Sequence, residues 1–290
     1  MLKQAKYPLE RFFEYLIKRE QIRLRKLAGD PWPWTDDKVM QVTKLTNVKR
    51  KDDRTSCLLI EEFYTPNFNA PREQILLNCA IARYFGTIEY MRAVGWQTTW
   101  DPNRLKKVAR DRKKAGERVF TGAYIVPSIG RAGPKENTVV GQVLSRVWAK
   151  RAKLAGTPWT AQQPFMEALT TISGYGSFMA KETMLDTRHT SFWPKPPTDM
   201  NTWTPMGPGG RRGAARIRGF TDKRPLSEKE SLEVCLEVFE QRHTYLPKDF
   251  VELELADIQF QFCEFDKIER VRLGQGKAKS KYVPPHLRKV

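Results

Sequence analysis

Residues Leu169–Gly213 read LTTISGYGSFMAKETMLDTRHTSFWPKPPTDMNTWTPMGPGGRRG, and the fold follows from how this stretch is parsed. Leu169 and Ile172 close one apolar helical run at Gly174, Tyr175 and Gly176, and Phe178, Met179, Ala180, Met184 and Leu185 carry a second. Two helices joined by a Gly-x-Gly hairpin are expected. A backbone without Cβ takes positive φ there and leaves the N–H groups at a helix start open to an anion. An ordinary tight helix-helix turn uses the same glycines. Downstream, a Pro- and Trp-bearing loop leads through Asp199 to Gly207, Gly209, Gly210 and Gly213, with Arg211 and Arg212 among them. Glycines interleaved with arginine read as a flexible, cationic turn suited to phosphate oxygens.

Outward from this stretch, charge is the strongest signal. The 290 residues carry 51 Lys and Arg against 33 Asp and Glu, a net charge of +18, which makes a polyanion the expected partner. The excess is spread through the globular part, at 18–26, 44–54, 104–118, 150–153 and 211–224, so a basic tail alone does not account for it. A solvated basic face would look the same. The expectation is that the glycine hairpin and the arginine-bearing loop fold together into one cationic pocket that grips a nucleic-acid strand.

Other classes are excluded. No apolar run approaches a membrane span, and the charged start MLKQAKYPLERFFEYL is unlike a signal peptide, which makes a cytoplasmic protein the default. Cys57, Cys79, Cys235 and Cys263 are far apart with no CxxC pair, which argues against a zinc finger, an iron-sulfur cluster or a disulfide scaffold. No metal site is expected.

In chain order, residues 9–28 form an amphipathic helix with Leu9, Phe12, Phe13, Leu16, Ile17, Leu24 and Leu27 on one face and Gly29 behind it. Thr35 is expected to cap the next helix, with Asp36 and Asp37 in its first turn. LTNVKRKDDR then gathers Asn47, Arg50, Asp53 and Arg54 into a polar knot, either a buried salt-bridged turn or part of a site. Helices follow from Asn69 to Gly116, with Pro71 and Asp101–Pro102 at helix starts and Gly86 and Gly95 at breaks. The stretch 118–126 reads as one small β-hairpin. Asn137 or Thr138 opens a helix buried through Val139, Val140, Val143, Leu144, Val147 and Trp148, and Thr160 caps the one entering the glycine hairpin. Ser227 and Glu230 form a capping box. In the last helix, roughly 253–273, Asp257, Gln259, Glu264, Asp266 and Lys267 read as its wet face. The reading is a mostly α chain: a helical domain over 1–273, with a two-lobe division near 130–160, and a basic, disordered tail at 274–290 that either adds loose phosphate contacts or docks as an extended segment.

Four blocks together, PWPWTDDKVMQVTKLTNVKRKDDR, LTTISGYGSFMAKETMLD, GPGGRRG and DIQFQFCEFDKIERVR, resemble a phage family of DNA base hypermodification proteins. These are the alpha-glutamyl/putrescinyl thymine pyrophosphorylases, with the related helical domain attached to 5-hydroxymethyluracil DNA kinases. The resemblance runs to about residue 275. It implies a helix-hairpin-helix fold akin to DNA glycosylases. It also implies a reaction in which an amine, from an amino acid or a polyamine, replaces pyrophosphate on a 5-pyrophosphomethyl-uracil in double-stranded DNA, alongside other base-modification enzymes. Where bifunctional glycosylases carry a nucleophilic lysine this chain has Ser177 and Phe178, with Lys181 a turn later. The alternatives are a non-catalytic DNA-binding module partnering a base kinase, and a glycosylase.

Such a reaction sets the candidate residues. A departing pyrophosphate needs cations, for which Arg211, Arg212, Arg188 and Arg50 stand out, and DNA phosphates are expected at Gly174, Tyr175, Gly176, Lys181 and Gly209. The attacking amine must lose a proton, to Asp199 first or Asp186 second, with His189 as a shuttle; each also has an ordinary structural explanation as cap, ion pair or packed side chain. Trp34 and Trp203, ahead of Trp32, Trp193 and Tyr175, are candidates to stack on an extruded base, against packing in the core. No cofactor is implied beyond Mg²⁺ arriving with the pyrophosphate.

Overall fold

The computed structural model describes residues 8–122, 126, 133–222, 224–277 and 281–284. The chain begins with α1 (Pro8–Leu27) and α2 (Lys38–Val42), then runs through α3 (Arg54–Leu59), α4 (Arg72–Phe85), α5 (Ile88–Val94) and α6 (Pro102–Lys114). It continues with α7 (Lys135–Thr138), α8 (Ser145–Ala149), α9 (Arg151–Gly156), α10 (Gln162–Thr170) and α11 (Ser177–Thr187). It ends with α12 (Gly207–Ile217), α13 (Glu228–Tyr245) and α14 (Leu255–Arg272). The mostly α expectation holds: among the described residues the one β pairing is a bridge between Thr43 and Lys281. Of the expected β-hairpin, residues 123–125 lie outside the described residues; residues 118–122 form no strand, and the Thr121 N–H bonds back to Phe85 O at 2.8 Å.

Two compact units divide the chain. Met1–Asp53 and Asn201–Val290 form the first, and Arg54–Met200 the second, so the expected division near 130–160 falls inside the second unit. The first unit is built on aromatic packing. Phe12 meets Phe262 edge-on at 5.1 Å and Phe265 at 5.4 Å, and Phe13 stacks on Tyr245 at 4.9 Å. Leu16, Val234, Val238, Ile258 and Ile268 complete this core. Leu24 and Leu27, expected on the same face of α1, are exposed, because the helix outlasts the core that covers its first half.

The glycine-arginine stretch 207–213 corrects the sequence reading. It is the first two turns of α12, not a flexible cationic loop. A Cβ on Gly209 would lie 2.7 Å from Cys263 Sγ, one on Gly210 2.7 Å from Gln259 Nε2, and one on Gly213 2.6 Å from the Phe262 carbonyl carbon. Glycine is required here because α12 lies directly on α14, backbone against backbone. A Gly209–Gly213 pair four apart on one face is the spacing that allows it.

In the second unit α4 is the central helix, buried from Ile75 to Phe85. Its C-terminal Gly86 takes φ 67°, and Phe85 stacks on Tyr90 and Phe120 at 3.7 and 5.0 Å. The helix expected from 137 is interrupted: a π-helical turn, Val139–Leu144, separates α7 from α8. Local capping follows its chemistry. The Asp101–Pro102 start and the Ser227/Glu230 capping box both form. Asp37, not Thr35, is the N-cap of α2, since its Oδ1 reaches the Val39 and Met40 amides at 3.0 and 3.1 Å. Of the tail, residues 278–280 and 285–290 lie outside the described residues, while the Tyr282 N–H donates to Val42 O at 2.8 Å and its ring meets Trp34 at 5.7 Å.

Candidate functional site

The hairpin forms as the sequence predicts. α10 ends at Thr170, Gly174 takes φ 89°, and Gly176, in extended backbone, is the N-cap of α11. Tyr175 turns inward, its hydroxyl 2.5 Å from Thr183 Oγ1 and its ring edge-on to Tyr84 at 5.1 Å. The Tyr84 hydroxyl in turn donates to Gly174 O at 2.9 Å. Packing thus fixes the turn from below and takes Tyr175 out of the set of stacking side chains. Burial, and Tyr84 beside it, push the Tyr175 hydroxyl well above the usual phenol range against the opposing Thr183 hydrogen bond.

The outer side of the turn is cationic. Arg146 donates to Ser173 O at 3.1 Å, and Lys150 reaches Thr171 Oγ1 at 3.2 Å, both from the α8 side. Sequence reading placed Lys150 in a basic run but did not connect either residue to the hairpin, because the contact spans more than twenty residues. Phe178, in the first turn of α11, is 45% exposed. On the same unit α6 adds Lys106, Lys107, Arg110, Lys113 and Lys114, with Lys107 paired to Asp111 at 2.7 Å and Lys113 bound to Glu136.

The carboxylates proposed for proton transfer are otherwise engaged. Asp186 is buried and receives the Arg83 guanidinium through both oxygens, Nε to Oδ2 at 2.6 Å and Nη2 to Oδ1, while the Tyr64 hydroxyl adds a bond of 2.7 Å. Glu182 lies 3.4 Å from the same guanidinium, and the two acids hold Arg83 firmly protonated despite its burial. Asp199 accepts the Gln162 and Gln163 amides at 2.7 and 2.9 Å and so closes the N-terminus of α10 from a distant loop. That cap, which the sequence reading gave to Thr160, fixes the first helix of the hairpin. Lys181 is buried on α11, Arg188 reaches Gln162 Oε1 at 3.4 Å, and the His189 ring lies parallel to Tyr64 at 6.4 Å.

The remaining candidates lie in the first unit, so the hairpin and the arginine-bearing helix do not share one compact unit. Arg211 donates to Leu226 O at 2.6 Å and Arg212 to Asp266 at 2.9 Å. Arg216 and Arg270 also reach Asp266, at 3.4 and 3.1 Å. Arg50 pairs with Asp53 at 2.5 Å and lies 5.3 Å over the Phe260 ring. Trp34 donates to Asp30 O at 2.8 Å with Lys26 5.9 Å from its ring, and Trp203 is half-buried.

The polar residues of α14 are not a wet face. Asp257, Gln259, Gln261, Glu264, Asp266 and Glu269 are all buried, and they bind neighbouring segments instead of water. Desolvation raises the Asp257 carboxyl to about 6, against the opposing pull of the Arg50 and Glu254 amides. The knot at 47–53 and this helix, read separately in the sequence, are one network. Among the described residues no group of three or more His, Cys, Asp or Glu side chains could hold a metal ion, and no helix is long and apolar enough to cross a membrane.

Comparison with known proteins gives a consistent family. Residues 7–278 match the 5-hmdU DNA kinase helical domain. The 5-hmdU DNA kinase of Bacillus phage SP10 is 27% identical over 291 residues, an alignment that covers 88% of this chain and 44% of that relative. The chain thus spans less than half the length of the curated relative it matches. No solved structure matches it significantly.

Proposed function

This chain belongs to the family of the 5-hmdU DNA kinase helical domain, and from that premise we propose that it is a DNA-holding module of phage thymine modification. It grips duplex DNA carrying a modified pyrimidine for a base-modifying enzyme, in the same polypeptide or in a partner. The observation that carries this reading is the α10–α11 turn, with Gly174 in left-handed backbone, Arg146 bonded to the Ser173 carbonyl and Lys150 to the Thr171 hydroxyl. Phosphate oxygens meet backbone N–H groups at the start of α11 and cations beside them, the usual means of positioning a protein on a duplex without reading sequence. Phe178, exposed at the same point, offers an apolar face to a base.

The finer reading, amine transfer with release of pyrophosphate, requires a carboxylate free to accept a proton. Asp186 is tied to Arg83 and Asp199 to two amides, which favours the holding role over catalysis by these two residues. One pair of measurements tests both. Binding to duplex DNA containing 5-hydroxymethyluracil should weaken steeply with salt, and Arg146→Ala with Lys150→Ala should flatten that dependence by about 1–2 in the log–log slope. Incubation with DNA carrying 5-pyrophosphomethyl-uracil and candidate amines should then yield no new nucleoside on digestion and mass spectrometry. A new adduct, or released pyrophosphate, would replace the holding role by the transferase.

A further inference from the structure

Segment 44–53 of the first unit is irregular apart from one 3-10 turn, Arg50–Asp52, yet side chains from two helices hold its backbone. Arg19 Nε donates to Thr46 O at 2.7 Å, and Gln261 Nε2 to Asn47 O at 2.7 Å and Val48 O at 3.3 Å. Glu264 Oε2 accepts the Thr46 amide at 3.2 Å, and Asp257 Oδ1 the Arg50 amide at 2.9 Å. The Tyr15 hydroxyl fixes Gln261 in turn, at 2.8 Å. Every one of these anchors is buried, Arg19 the most exposed at 8%.

Burying such groups is a poor route to stability, since well-packed apolar residues do as well or better. It is an effective route to a rigid loop. A surface connection ordinarily needs no anchoring of this kind, and loops set on a rigid scaffold are where ligands bind. What this loop presents is three lysines within eight residues: Lys44 and Lys51 are exposed and Lys49 is half-buried. No acid lies among them. Of the two acids that follow, Asp53 pairs with Arg50 at 2.5 Å and accepts the Asn47 amide at 2.8 Å, and Asp52 lies 4.0 Å from Arg23, which leaves the three lysines as the loop's outward charge.

We propose that the loop Lys44–Lys51, mounted on Arg19, Gln261, Glu264 and Asp257, is a preorganised phosphate-binding surface separate from the hairpin. Its ligand is a phosphate group, offered either by a nucleic-acid backbone or by free pyrophosphate. The backbone source rests on the function proposed above, whereas the pyrophosphate source does not.

The full chain is titrated with duplex DNA over a range of salt and, separately, with inorganic pyrophosphate by calorimetry. In the variant Lys44→Ala, Lys49→Ala, Lys51→Ala, loss of slope by about 2–3 identifies the DNA backbone as the source. Loss of pyrophosphate binding identifies the free anion. Gln261→Met keeps every lysine but removes two bonds to the loop backbone and one to the Thr46 hydroxyl, and should flatten the slope part-way with the helical circular dichroism unchanged. Should that variant misfold, the three exposed-loop substitutions still decide. An unchanged slope together with unchanged pyrophosphate binding in the triple variant overturns the proposal. A triple variant that alters binding while Arg146→Ala with Lys150→Ala does not would sink the hairpin reading and leave this one standing.

Discussion

Two segments of this molecule look alike in composition and do different physical work. The hairpin of the second unit and the start of α12 in the first are both rich in glycine, and the helix that follows or packs on each carries a buried aspartate held by an arginine, Asp186 by Arg83 and Asp266 by Arg212. In the hairpin, glycine supplies a left-handed turn at Gly174 that no other residue adopts easily. In α12, glycine supplies nothing but absence, letting α14 approach where a methyl group would collide. The first use leaves backbone amides at the surface; the second leaves a flush packed face. Glycine and arginine content alone cannot tell a phosphate turn from a tight helix crossing. Spacing can, since residues two apart cannot share a helix face and residues four apart do.

The hardest test of the parallel is to remove the aspartates. Asp266→Ala strands Arg216, 3% exposed, and should cost about 3–5 kcal/mol in denaturant unfolding. Asp186→Ala should fall at the lower end of the same range, about 3 kcal/mol, because Glu182 remains 3.4 Å from Arg83. Equal losses would mean that Glu182 contributes nothing. Next in size is a dependence on pH confined to the first unit. Burial raises Asp257 to about 6 from an ordinary 3.8, so the folded state binds the proton more tightly than the unfolded one. Stability from this group is therefore greatest below its unfolded value and falls as pH climbs from 4 to 6, by at most about 3 kcal/mol. Asp257→Asn should remove that decline, and a parent chain showing no such difference from the variant would place the proton elsewhere.

The glycines themselves give the smaller, sharper contrast. Gly213→Ala pushes a methyl group into the Phe262 carbonyl and should cost about 1–3 kcal/mol through a forced separation of α12 from α14. Gly176→Ala meets nothing within 4 Å and has ordinary backbone, so stability should move by no more than about 0.5 kcal/mol. A large effect at Gly176 would show that the turn is packed more closely than its open surroundings indicate.

Local physics was legible in the sequence wherever it was local. The apolar stripe of α1 through Phe13 and Leu16, the capping box at Ser227 and the hairpin itself all follow from spacing over a few residues. What escaped is carried by partners far apart in the chain. Asp199 looked like a proton acceptor because its helix is 36 residues away, and the α14 carboxylates looked solvated because the loop they hold lies more than 200 residues earlier. The density of polar groups in DIQFQFCEFDKIER was the visible sign. The helix buries an apolar face through Ile258, Phe262, Phe265 and Ile268, and the polar groups beside that face are buried as well because neighbouring segments need them.

Asp199 separates structure from chemistry with the least perturbation. Its carboxylate accepts two amides at the start of α10, so Asp199→Ala should cost about 1 kcal/mol, as lost helix caps do, and should loosen the hairpin by freeing the helix that leads into it. Asp199→Asn keeps one acceptor oxygen and with it one of the two bonds, and should cost less, about 0.5 kcal/mol, from the lost second bond and the lost charge at a helix N-terminus. A cap therefore orders the variants parent, Asn, Ala, both in stability and in salt-dependent DNA binding. A general base orders them otherwise: Asn and Ala would be equally inactive in any transfer reaction, at unchanged DNA affinity. Because the amide can accept one of the two hydrogen bonds but not the proton, the position of Asn in that order decides which of the two roles this residue performs.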